Sequence, residues 1–174
     1  MKILFKFIIS SILLIPIAHA DNQPQPNPLV QAVLENNPQK ILKLLKVGQD
    51  VNQLAGNGEP ILCAASMMGK YEAAKILIDE GAELKDSCLI LAVANGNANI
   101  VSLFLNNKKS PNTLVNKNGD SLLHMAVHAN YLDVTNILLK HGAKKDIKND
   151  AGLTPSDLIS QERKILDQLD ILLK

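Results

Sequence analysis

Cys63, Cys88, His124 and His128 are the side chains of this sequence best suited to chemistry. His124 and His128 stand four apart, a spacing that places two imidazoles on one face of a helix and could supply two ligands of a zinc ion. No third ligand accompanies them in a recognisable motif, so a metal site is not expected. The cysteines leave two alternatives open. In an oxidising compartment they can form a disulfide; otherwise they are small apolar side chains of a type found mostly in cores. Sequence does not give the short Cα separation that a bridge needs. The carboxylates are dispersed, and each reads as a solvated surface charge rather than as half of an acid–base pair. The chain has no Gly-x-Ser-x-Gly, no phosphate loop and no His-Glu-x-x-His. The expectation is therefore a protein with no catalytic residue, no cofactor and no metal.

Composition excludes further classes. Eighteen Lys and Arg against 17 Asp and Glu give a formal net charge of +1, too balanced for the basic stripe of a nucleic-acid binder. Aromatic residues are 3% of the chain, too few for a base-stacking platform. With 174 residues, 47% of them hydrophobic, the chain can bury one sizeable core.

The first twenty residues have their own logic. Lys2 and Lys6 give a basic start, Phe7 to Ile17 is apolar apart from Ser10 and Ser11, and Ala18-His19-Ala20 is a small-x-small site. This is the layout of a secretory signal peptide. The apolar run falls short of the ~20 residues of a spanning helix, and Pro16 would break a helix just before the expected cut. Residues 1–20 are thus predicted to be removed, with Asp21 as the mature N-terminus. Residues 21–27, polar and proline-rich, read as an extended linker.

From there the chain repeats itself. Gly58-Glu59-Pro60-Ile61-Leu62-Cys63-Ala64-Ala65 leads to Ile76-Leu77 and Gly81-Ala82. Gly119-Asp120-Ser121-Leu122-Leu123-His124-Met125-Ala126 leads to Ile137-Leu138 and Gly142-Ala143. Weaker copies begin at Gln25, Lys85 and Gly152, so the anchors are spaced by 33, 27, 34 and 33 residues. Each copy predicts two helices. Ser121 and Thr154 can cap a first helix, and Pro28 and Pro155 suit its first position. Gly69 and Gly96 can end it in a left-handed conformation. A second helix carries its apolar stripe at helical spacing, as in Ala73, Ala74, Ile76 and Leu77, and closes at Gly48, Gly81 or Gly142.

This pattern resembles the ankyrin repeat, a β-turn finger followed by two antiparallel helices. The resemblance implies an all-α solenoid of about five helix-turn-helix units joined by β-turn fingers, over residues 28–174. The units fall near 25–57, 58–84, 85–118, 119–151 and 152–174. The 27-residue step predicts a finger about six residues short between Gly81 and Ser87. His124 falls at the family's structural hydrogen-bonding histidine. Met67 and Met68 fall at variable late positions of a first helix, facing the concave side, with Glu35, Asn95 and His128 in the equivalent row; for Met67, core packing is the competing reading. Asn57, Glu59, Asp86, Lys117, Asp120 and Leu153 fall beside the anchors, on fingers.

The function implied is non-catalytic binding of another protein by a monomer, with no nucleic acid and no membrane involved once the signal is cut. The implied face holds Asn57, Glu59, Met67, Met68, Asp86, Asn95, Lys117, Asp120 and His128. The expected location is the periplasm or the cell exterior, where an inhibitor, immunity-type or scaffold role would fit. The alternative is a redox or metal-handling protein that uses Cys63, Cys88 and the histidines.

Overall fold

A computed structural model describes residues 27–56 and 58–160. The predicted signal peptide, most of the linker, Asn57 and residues 161–174 lie outside the described residues. Eight helices follow in order: α1 Pro28–Leu34, α2 Pro38–Lys46, α3 Ile61–Met67, α4 Tyr71–Asp79, α5 Asp86–Ala94, α6 Ala98–Asn106, α7 Leu122–His128 and α8 Leu132–Lys140. Residues 155–160 are helical again. The odd-numbered helices pack on one another in chain order, and so do the even-numbered ones, giving two layers of stacked helix pairs. None of the described helices is long and apolar enough to cross a membrane.

Local chemistry sets the helix boundaries. The Asn27 side chain accepts from the N–H of Leu29 at 2.8 Å, with Pro28 at the first position of α1. Asn37 does the same for Lys40, ahead of Pro38 in α2. Ser121 caps α7, and the His124 ring bonds back to the N–H of Ser121, closing a capping box. The first helices end on Asn36, Gly69, Gly96 and Asn130, all with φ between 52° and 68°. At Gly69 a Cβ would lie 2.9 Å from Asn97 Oδ1, so close approach as well as the backbone conformation excludes a side chain there.

The core runs continuously between the layers. First helices contribute Leu29, Leu62, Leu89 and Leu123 beside small Ala32, Ala65, Ala92 and Ala126; second helices contribute Ile41, Leu77, Phe104 and Leu138. Small residues let short helices approach closely, and the large side chains of the next layer fill what remains. Polar side chains tie each unit to the next. Asn36 Oδ1 accepts from Ala73 N–H (3.0 Å), and Asn97 Nδ2 donates to Ser66 O (2.7 Å) and Met67 O (3.0 Å). His124 Nδ1 accepts from Ser121 N–H, and Nε2 donates to Leu153 O (3.0 Å) in the following unit.

Two full fingers are closed by isolated β-bridges, Leu54↔Pro60 and Leu114↔Ser121. Between units two and three the chain passes from buried Ala82 to α5 through residues 83–85, without such a bridge among the described residues. At that same boundary Cys63 of α3 and Cys88 of α5 are joined in a disulfide, both fully buried. Asp86 therefore starts helix α5, where it pairs with Lys109; it is not a finger residue, because the shortened turn leaves no finger for it to occupy.

Candidate partner-binding face

The left-handed residue that ends each first helix fixes the register of its last turn. Counting back from Asn36, Gly69, Gly96 and Asn130 aligns Leu34, Met67, Ala94 and His128 in one row, and Glu35, Met68, Asn95 and Ala129 in the next. The row read from sequence merges these two: His128 matches Met67, whereas Glu35 and Asn95 match Met68. All eight residues are exposed. Met67 is 40% and Met68 49% accessible, so neither is a core side chain. Helical geometry explains this: the face that packs on neighbouring first helices is already filled by Leu62, Cys63, Ala65 and Ser66.

The fingers stand beside these rows. Val115 and Asp120 of one finger, Met125 and His128 of α7, Asn149 of the next finger and Leu158 of the last unit line one cleft of about 330 Å3. Leu54 and Leu114, each 55% exposed, add apolar surface at the finger bridges. Leu34, Leu54 and Leu114 were not legible as surface residues in the sequence. Asn36 stands in place of the punctuating glycine after Leu34, and the two finger leucines read as ordinary apolar positions.

The remaining predicted residues divide by what they do. Lys117 is exposed, and Asn95 donates its side-chain amide to Leu91 O of its own helix. Glu59 is half-buried in the first full finger. Asp120 is committed internally: Oδ2 accepts from Asn116 Nδ2 and Oδ1 from Asn149 Nδ2, both at 2.8 Å, tying two fingers together. These bonds, Asn116 first and Asn149 second, with a smaller contribution from His124 and His128, hold its carboxyl below the ordinary aspartate value against an opposing desolvation.

The chemistry open to the other candidates is limited. Both ring nitrogens of His124 are engaged in the fold, and His141 reaches Ile137 O and the Asn106 side chain. Among the described residues no three of His, Cys, Asp and Glu converge as a metal-binding group. Cys63 and Cys88 are consumed by their bond, and at 0% exposure neither sulfur is open to a redox partner.

Comparison with known proteins places this architecture. A family model described as ankyrin repeats, in three copies, matches residues 29–112 and 82–149. A protein of Rickettsia bellii (strain RML369-C) named as an ankyrin repeat protein is 33% identical over 99 residues, covering 54% of this chain and 59% of its own length. Alpha-latrocrustotoxin-Lt1a of Latrodectus tredecimguttatus is 29% identical over 140 residues, 80% of this chain but 8% of the toxin. The chain thus spans less than two thirds of either relative.

Proposed function

The chain belongs to the ankyrin repeat family, whose repeats are protein–protein interaction modules, and on that premise we propose that it is an exported, non-catalytic monomer that binds another protein through the last turns of its first helices and the adjacent fingers. The observation that carries this reading is the apolar surface of Leu54, Met67, Met68 and Leu114, each 40–55% exposed. Polar Asn95, Lys117 and His128 lie around it. An apolar centre with a polar rim is the anatomy of a non-obligate interface, and exposed apolar side chains at first-helix ends and fingers could build such a centre. Two sequence features support export: the basic start with its apolar run, and Ala18-His19-Ala20. A disulfide, which persists in oxidising compartments, agrees with the periplasm or cell exterior. Within this class, inhibitor, immunity-type and scaffold roles fit a small exported binder.

Met68→Glu tests the face. The variant should keep its urea midpoint, since a surface change moves stability by about 0.5 kcal/mol or less, and should lose the protein that the unmodified chain captures from an extract of its own cells. Unchanged capture moves the site elsewhere; unfolding makes Met68 a structural residue. Intact mass of the exported protein should begin at Asp21, and recovery of the uncut chain in membranes would contradict export.

A further inference from the structure

The finger edge is divided by charge. Asp50, Glu59, Asp79, Glu80 and Glu83 lie along the turns and finger of units one and two, accompanied by Lys46 and Lys85. Beyond the short 83–85 turn the sign reverses. Lys108, Lys117, Lys144, Lys145 and Lys148 are all exposed, and none forms an ion pair among the described residues.

The loops that carry these lysines are neighbours. Lys144 N–H donates to Asn112 Oδ1 (2.8 Å), Asp150 N–H to Asn118 O (2.9 Å), and Asn149 Nδ2 to Asp120 Oδ1 (2.8 Å), so the two loops run side by side. His141 reaches Asn106, which brings the turn bearing Lys108 against the same loops. The acids of this edge are Asp120, whose carboxylate accepts from Asn116 and Asn149, together with Asp146, Asp150 and Asp157, the last close enough to Lys148 to feel its charge. Leu114, 55% exposed, sits within it.

We propose that this basic edge of units three and four receives an acidic segment of the partner protein, one that also carries an apolar side chain to cover Leu114. The proposal rests on the reading of the chain as a protein-binding module and names the chemistry of what it binds. The five lysines outnumber the carboxylates of the edge and none is held in an ion pair, so a carboxylate-rich segment can pair with them and steer encounter. A nucleic acid fits less well. The described aromatics are buried Phe104 and half-buried Tyr71 and Tyr131, so no ring stands on the fingers to stack a base.

The probe is a fluorescein-labelled synthetic peptide rich in glutamate with two leucines, titrated with the chain by anisotropy. Binding should be measurable at about 50 mM salt and weaken at least about tenfold by about 300 mM. Reversing Lys117, Lys144 and Lys148 to glutamate together should abolish it. Reversing Lys43 of α2, Lys70 at the start of α4 and Lys75 within it changes net charge equally and should leave the dissociation constant within about twofold if the edge, and not overall charge, is read. Circular dichroism confirms that both variants are folded; if the finger variant is not, the single Lys117→Glu and Lys145→Glu variants carry the test, each weakening binding severalfold. The proposal is overturned if the peptide fails to bind, if the reversal of Lys43, Lys70 and Lys75 weakens binding as much, or if duplex DNA or anionic vesicles bind more tightly than the peptide. It is also overturned if sedimentation shows the chain pairing with a second copy through these lysines. Met68→Glu should bind the peptide normally. If the chain fails to bind the peptide but captures a partner that Met68→Glu loses, only the acidic-segment inference falls; if the peptide binds and Met68→Glu still captures the partner, only the assignment of the Met68 face falls.

Discussion

Breaking the Cys63–Cys88 bond should have a large and specific effect. The bond closes a loop of 25 residues between α3 and α5. Removing a cross-link of that length returns loop entropy to the unfolded chain worth about 3.5 kcal/mol at 25 °C. The bond also spans the boundary where residues 83–85 replace a full finger, so the packed helices must hold that joint without it. In a stack whose units touch only their neighbours, weakening one joint separates what lies on either side. The assay compares urea unfolding of the oxidised chain with that of chain reduced by a phosphine while unfolded and then refolded, which leaves both sulfur atoms in place and adds no cavity. The chain has no tryptophan, and Tyr71 in unit two and Tyr131 in unit four report on opposite sides of the joint. Oxidised protein should unfold in one transition. Reduced protein should lose about 3.5 kcal/mol, with the two tyrosines, read singly in Tyr→Phe variants, no longer melting together. A loss below about 1 kcal/mol would refute the loop-entropy argument for this chain.

Leu123, 3% exposed in α7 with a unit on either side, should cost about 2–5 kcal/mol when replaced by alanine, measured by the same melts. His124→Ala strands Leu153 O and the N–H of Ser121, and should cost about 2–4 kcal/mol while leaving any bound metal content unchanged. Asp120 has a lowered folded pKa, so its contribution is present above the ordinary aspartate value and fades as pH falls through the lower folded one. Carboxyl NMR titration should show its midpoint rising toward that ordinary value in Asn116→Ala, and less so in Asn149→Ala. The acid-side slope of stability should flatten in Asp120→Asn.

Most of the architecture was legible because the period is written in glycines and capping residues whose backbone roles are local. Gly69, Gly81, Gly96 and Gly142 mark helix ends by conformational freedom alone, and Ser121 with His124 forms a cap within one turn. What escaped depends on contacts across units. Asn36 and Asn130 adopt the same left-handed conformation as the glycines, so the rows containing Leu34 and His128 could not be aligned by composition. The disulfide requires two Cα atoms 4.2 Å apart, a distance fixed only when α3 packs on α5. Asp120 looked like a finger charge on offer to a partner, yet Asn149, 29 residues on in the next finger, occupies one of its oxygens. Asp86 kept the anchor spacing but lost its finger to the short turn.

The same buried bond gives the molecule a mechanical signature. Pulled from its two ends, a chain of stacked units lengthens as each one peels away, and the tension crosses from α3 to α5 through sulfur instead of through the peptide between them. The 25-residue stretch inside the bond stays slack, withholding about 85 Å of extended length that reduction would release in a single increment.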